Sequence, residues 1–312
     1  MTNKPALGST GKSLGAAVIS HVFWGFSFLA SRTALDHTSV FLLLSHRFLS
    51  AFLLINLFPL LRPSLLRLRG KRLWPLVLLG LAEPVVYFLG EQYGILHSTT
   101  IFSGVMIAMI PIVSTLAAAP ILREKPSGGQ LLFSLVSVSG VVGIGLMSRS
   151  AGALDWIGVL CLLIAVASAA VYTLLSRGIS GEFTAFERCC TMLGIGALAF
   201  TLLALIDCGG SPAAYFAPLA EGSYLLSMLF LSVCCSVVGY FLSGYALTYL
   251  SVARASVFAN LTTAVSVFAG AVLLREPFTW QGGLCCLLIL LGIYGVQKTA
   301  PKAAAGDEER KA

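Results

Sequence analysis

Two carboxylates, Glu83 and Glu91, stand eight residues apart in one apolar stretch, with Tyr87 midway between them. At 3.6 residues per turn these positions share one broad helix face, a polar stripe that must turn away from lipid. A charge at the centre of a membrane helix costs about 2.5–3.5 kcal/mol on the insertion scale, so it is kept for function or held by a partner. Glu83 lies some nine residues into its run, near the midplane, and Pro84 follows it, removing a backbone donor where a ligand can use the gap. Such a carboxylate can bind a cationic group or exchange a proton. The structural alternative is a carboxylate paired with a buried arginine to hold a bundle together. Both alternatives apply to Glu91, which lies closer to the end of the run.

Arg47 lies about eight residues into another apolar run, deep enough to need a partner, beside His46. Arg188, beside Glu187, is shallower and can extend its charge to the interface. An Arg47–Glu83 or Arg47–Glu91 pair is open on sequence alone. His21 and Trp24 share a face at i, i+3, with Ser20 adjacent, and His21 could relay protons near neutral pH. The aromatics Trp24, Tyr87, Tyr93, Tyr172, Tyr240 and Tyr245 are candidates for cavity walls, against core packing or an interfacial belt. Asn260 is a mid-helix amide suited either to substrate contact or to interhelical bonding. Small residues at Ser103-Gly104 and Ala255-Ser256 allow close helix approach. No His/Asp/Glu spacing resembles a metal site, and no cofactor is expected.

The elements that must position these residues are membrane helices. The chain has 312 residues, 57% hydrophobic and only 11% charged, with mean hydropathy +0.92. A soluble chain carries roughly 25% charged residues, so a soluble enzyme, a disordered chain and a coiled coil are excluded. At about 20 residues per crossing, ten apolar runs consume nearly all of it. They are predicted near 14–31, 40–61, 74–96, 99–122, 129–148, 156–177, 183–206, 224–249, 253–274 and 281–297, and turn signals such as Arg62-Pro63, Gly178 to Gly181 and Gly209 to Pro212 fall between them. The net charge of +7 is spread over short connections and forms no basic stripe, which excludes nucleic acid as a partner. With the N-terminus inside, fifteen Lys and Arg fall in cytoplasmic segments and three (Arg32, Arg149, Arg275) outside, so both termini are expected in the cytoplasm. Seven of the eight cysteines lie within apolar runs as small packing residues.

Self-comparison reveals a repeat. A shift of 152 residues aligns Tyr93 with Tyr245, Val113-Ser114 with Val265-Ser266, and Leu122-Arg123-Glu124 with Leu274-Arg275-Glu276. It also places Gly140 and Gly143 on Gly292 and Gly295. Earlier in each half the offset shrinks, pairing Ser31-Arg32 with Ser176-Arg177 and Arg47 with Arg188. Each half then holds five helices, and an odd number inverts the second half relative to the first. The expected divisions are a cytoplasmic N-terminus at 1–13, repeats at 14–148 and 149–297, and a cytoplasmic tail at 298–312. Glu83 aligns with Cys235 and Glu91 with Ser243, so the acidic stripe belongs to one half only.

Phe23-Trp24-Gly25-Phe26-Ser27-Phe28, Arg47, Leu122-Arg123-Glu124-Lys125-Pro126 and Leu274-Arg275-Glu276-Pro277, set in a 5+5 repeat, resemble the EamA-type branch of the drug/metabolite transporter superfamily across residues 14–297. The resemblance implies a bundle of ten transmembrane helices that moves small metabolites, often amino acids or related compounds and commonly outward, in a bacterial inner membrane. The expectation is a secondary transporter, acting as a monomer or homodimer in the lipid bilayer, with a small-molecule substrate and protons as a candidate coupling ion. Its site lies between the halves, walled by the first, third, sixth, eighth and ninth helices. Glu83, Tyr87, Glu91, Trp24, His21, Arg47, Tyr172, Tyr240 and Asn260 are the expected substrate- or ion-binding residues. A facilitator of the same fold and a membrane scaffold or sensor are the alternatives. A membrane enzyme lacks a catalytic set, and ATP driving lacks a G-x-x-x-x-G-K-[ST] loop.

Overall fold

A computed structural model describes residues 7–110, 112–114, 117, 127–150, 155–179, 181–249, 258–276 and 278–299. All regular secondary structure among the described residues is helical. α1 (Leu7–Leu35) and α2 (Val40–Leu61) are long and apolar. α3 is composite: Trp74–Gly80, a wider π-helical stretch at Leu81–Val86, and Tyr87–Leu96. α4 starts at Thr100–Ile107, and α5 (Gly128–Ser150), α6 (Trp156–Gly178) and α7 (Ala185–Asp207) are regular. α8 is again composite, with Gly222–Leu229, a π-helical stretch at Phe230–Gly239, and Tyr240–Tyr249. α9 comprises Ala259–Phe268 and a π-helical Ala269–Leu273, and α10 is Trp280–Lys298.

Seven of these helices are long and apolar enough to cross a membrane, and Thr100–Ser114, Leu261–Leu273 and Trp280–Val296 are shorter apolar helices. Large apolar side chains also face outward: Ile206 is 77% exposed and Leu226 72%. A soluble protein would hide such faces, whereas a bilayer covers them. The chain is an integral membrane protein.

Hydropathy placed these helices well, with two differences. α1 begins at Leu7, one turn and more before the expected 14, and winds through Gly8 and Gly11 although glycine is a poor helix former. Beyond the left-handed Gly209 and Gly210, the expected plain turn holds a short helix, Pro212–Phe216, and a 3₁₀ turn, Ala217–Ala220. Ser211 caps the short helix by accepting from Ala214 N, and Pro212 occupies a first-turn position that needs no N–H. The ends of the fourth and the start of the ninth expected helices, with Arg123 to Pro126, Arg254 to Ser256, Pro277 and the tail from 300, lie outside the described residues.

The most extensive helix contacts pair α5 with α10, α2 with α7 and α3 with α6, while α1 packs between α8 and α9. The α5–α10 contact is reciprocal. A Cβ on Gly140 would lie 2.6 Å from Cys285 O and 2.7 Å from Ile289, and one on Gly292 would lie 2.6 Å from Ser137 N and 2.7 Å from Phe133 O. Glycine at both positions brings the two backbones together with no side chain between them.

Polar side chains tie the helix ends. The Glu276 carboxylate accepts from Thr100 N at 2.6 Å and Ile101 N at 2.9 Å, capping α4 from the end of α9. Arg275, at φ 53°, makes the reversal that brings it there. At the same end Arg32 donates to Ile95 O at 2.9 Å, and His97 Nδ1 meets Asp155 at 2.9 Å. Asp155 also caps α6 by accepting from Gly158 N. That bond and the His97 contact hold its carboxyl below the usual carboxylate range. At the opposite end Glu187 accepts from Lys71 Nζ, Arg67 N and Thr184 N, binding the α2–α3 loop to the start of α7.

Replacing Gly292 by Val should overfill the α5–α10 contact, lowering stability by about 1–3 kcal/mol, read as a lower melting temperature in detergent. Glu276→Gln keeps one acceptor and loses the charge on two helix amides; a loss of about 1 kcal/mol is expected in the same assay.

Candidate functional site

The break in α3 begins with its residues. Pro84 supplies no N–H, and Glu83, at φ −139° and ψ 115°, is extended within an otherwise helical run. The Glu83–Pro84 peptide is cis. The chain returns to helix through Leu81–Val86, where Tyr87 N–H reaches back to Ala82 O and Ala82 O also accepts from Ser168 Oγ of α6 at 2.7 Å. The irregular stretch of α8 is supported in a similar way from α1: Trp24 Nε1 donates to Cys235 O at 3.1 Å, and Cys235 Sγ to Phe23 O at 3.4 Å.

Beside the break in α3 lies a cavity of about 250 Å³, which α8 borders through Tyr240, just after its irregular stretch. Its walls include His21, Trp24 and Ser27 of α1, Arg47 of α2, and Glu83, Tyr87 and Glu91 of α3. Gly104 to Ile110, Tyr172, Thr173, Tyr240, Thr262 and Thr263 complete much of the rest. Glu83 is half-buried and accepts from Tyr240 Oη at 3.0 Å through Oε1. Glu91 is only 5% exposed, and both its oxygens are engaged: Tyr87 Oη donates to Oε1 at 2.8 Å and Gln92 Nε2 to Oε2 at 3.0 Å.

Arg47, 3% exposed, forms no ion pair with either carboxylate within 4 Å. Its Nε donates to Ser236 Oγ at 3.1 Å, and its guanidinium carbon lies 4.5 Å from the centre of the Phe88 ring and 5.6 Å from that of Phe48. Ring faces and one hydroxyl therefore hold the cation, at a distance from which its charge still acts on both carboxylates. Trp24 and Tyr240 meet edge to face at 5.6 Å, and His21 and Trp24 at 5.2 Å. His21 Nδ1 lies 2.9 Å from Ala17 O, which can only accept, so the proton of the neutral ring sits on Nδ1 and Nε2 is left as an acceptor.

Of the nine residues singled out by sequence, eight line this one cavity: His21, Trp24, Arg47, Glu83, Tyr87, Glu91, Tyr172 and Tyr240. The side chain of Asn260 lies outside the described residues, although Thr262 and Thr263, just beyond it on α9, are in the wall. Other candidates stand apart. Arg188 donates to Ser176 O at 2.9 Å and to its Oγ at 2.7 Å, His46 Nδ1 meets Tyr224 Oη at 2.6 Å, and His97 is at the helix ends. Sequence reasoning missed Ser27, Thr173, Thr262 and Thr263. Of these, Ser27, three residues after Trp24 on the same face, was within reach of the helical period. Among the described residues no three His, Cys, Asp or Glu side chains group as a metal site.

Tyr87→Phe should leave Oε1 of buried Glu91 without a donor and cost about 1–3 kcal/mol. Tyr240→Phe should cost less, because half-buried Glu83 can take water instead; parallel thermal unfolding of the two purified variants measures the difference.

A model of the EamA-like transporter family matches residues 11–146 and again residues 156–297. The chain is 31% identical to the uncharacterized transporter YcxC of Bacillus subtilis over 283 residues, 90% of this chain and 91% of that one. An uncharacterized transporter of Archaeoglobus fulgidus is 25% identical, covering 87% of this chain and 94% of its own. A probable terminal-alkyne amino-acid exporter of Streptantibioticus cattleyicolor is 27% identical over 91% of this chain and 92% of its own. A solved crystal structure, 17% identical, shares the fold at a TM-score of 0.63 over 96% of this chain and 99% of that one.

Proposed function

The chain belongs to the EamA-like transporter family, a family of transporters rather than enzymes, and from that premise we propose that it exports a small organic metabolite by alternating access. The metabolite is an amino acid or a related compound, a class that the name of the Streptantibioticus relative also supports. The observation that carries this is the cavity itself: two carboxylates, a guanidinium and six aromatic rings converge inside an apolar bundle, at the level where α3 and α8 are both irregular. Broken helices facing a central polar cavity suit a site that must be reached from either side of a membrane. Glu83, half-buried with one oxygen unengaged, is the coupling or amine-binding residue. Arg47 is an internal counter-charge.

Ten transmembrane helices in two inverted repeats, 14–148 and 149–297, form the transporter. Shifting Leu81–Val86 by 152 residues lands within Phe230–Gly239, so the two irregular stretches are repeat mates. The contacts of Gly140 with Cys285 and Ile289 and of Gly292 with Phe133 and Ser137 are related by the same shift. α3 packs on α6 as α8 packs on α1, an exchange expected of halves related by a pseudo-twofold axis. The fifteen-to-three distribution of basic residues favours cytoplasmic termini, 1–13 and 298–312, in a bacterial inner membrane.

Uptake of a labelled metabolite mixture into proteoliposomes, with and without an imposed pH gradient, tests this. Wild-type protein should accumulate at least one compound when the gradient is present, and Glu83→Gln should lose that accumulation. Equal, non-concentrating uptake by both would instead mean a facilitator in which Glu83 is structural.

A further inference from the structure

Taking the transport assignment as its basis, and narrowing the substrate named there from amino acids to related amines, we propose that the cavity selects organic cations, compounds that carry an ammonium group and no free carboxylate, over zwitterions. The charges are not equally available. Arg47 borders the cavity but offers it little: its Nε is used by Ser236, its guanidinium lies over Phe88, and it is 3% exposed. A substrate carboxylate would meet only the small edge of the group left at the wall. Glu91 is equally closed, with Tyr87 and Gln92 filling its two oxygens. Glu83 alone offers a charge: Oε1 takes one bond from Tyr240, Oε2 has no protein donor, and the side chain is half-buried in the cavity wall.

Around that oxygen the wall is aromatic. Trp24 and Tyr240 are packed edge to face at 5.6 Å, and Tyr172 lines the same cavity. Ring faces attract an ammonium group and give nothing to a carboxylate. An ionised Glu83 is a single negative charge that one ammonium group answers, whereas a zwitterion brings a carboxylate that must also be placed. The remaining polar groups nearby are hydroxyls, Ser27, Thr173, Thr262 and Thr263, together with His21 Nε2, a lining suited to an uncharged polar tail. The volume of about 250 Å³ keeps the substrate small.

Calorimetric titration of the purified full-length protein at neutral pH tests the selection with two ligand pairs, each differing by a carboxylate: choline against glycine betaine, and isopentylamine against leucine. The cation of at least one pair should bind about tenfold more tightly than its zwitterion, and Glu83→Gln should abolish the difference. Trp24→Leu, which leaves the carboxylate in place, should weaken the cation several-fold and change the zwitterion little. Zwitterions binding as tightly as their cations, or no binding by either cation, would overturn the inference. Neither result touches transport itself, which falls only if no metabolite enters the proteoliposomes.

Discussion

Hydrocarbon has no water to satisfy a broken backbone, and α3 is broken at Glu83–Pro84 in the middle of its span. Much of the surrounding architecture answers that constraint. Ser168 of α6 reaches Ala82 O, and Trp24 of α1 reaches Cys235 O in the matching irregular stretch of α8. The two supports come from helices that lead opposite halves of the chain, so the breaks draw α1 toward α8 and α6 toward α3. The space left at the crossing is the cavity. A polar site is thus a by-product of supporting irregular backbone, and the side chains that border it inherit the few positions where a charge is tolerable.

Within that site the two carboxylates have different surroundings, and the difference arises from one turn of helix. Glu91 lies on the regular part of α3, where Tyr87, four residues earlier, and neighbouring Gln92 close over it. Glu83 lies at the break, where the helix provides no side chain one turn back to cover it, and its single protein donor comes from α8. Two chemically identical residues thus differ in how completely protein donors enclose them, and the difference follows the backbone on which each stands.

How much of this was legible in the sequence depended on range. Hydropathy located α2 at its observed limits, and the 3.6 period put Glu83, Tyr87 and Glu91 on one face, because both signals are local. The assembly of eight of nine chosen residues around one cavity followed from a general cost: polar side chains inside apolar runs have few places to go. What sequence left open was pairing. Arg47 had two acids as plausible partners and instead uses Ser236 and the Phe88 ring, contacts across helices whose relative rotation no local pattern encodes. Thr262 and Thr263 passed unnoticed because threonine is common in apolar helices and bears no charge to explain.

The burial of Arg47 behind Phe48 and Phe88 has a consequence for the electrolyte on either side of the membrane. Screening acts through mobile ions that gather around a charge, over about 10 Å at 0.1 M salt, and few such ions can gather around a guanidinium that is 3% exposed and stacked on rings. The potential that Arg47 imposes inside the bundle is therefore screened far less than that of a surface charge, and it varies little between dilute and concentrated solution.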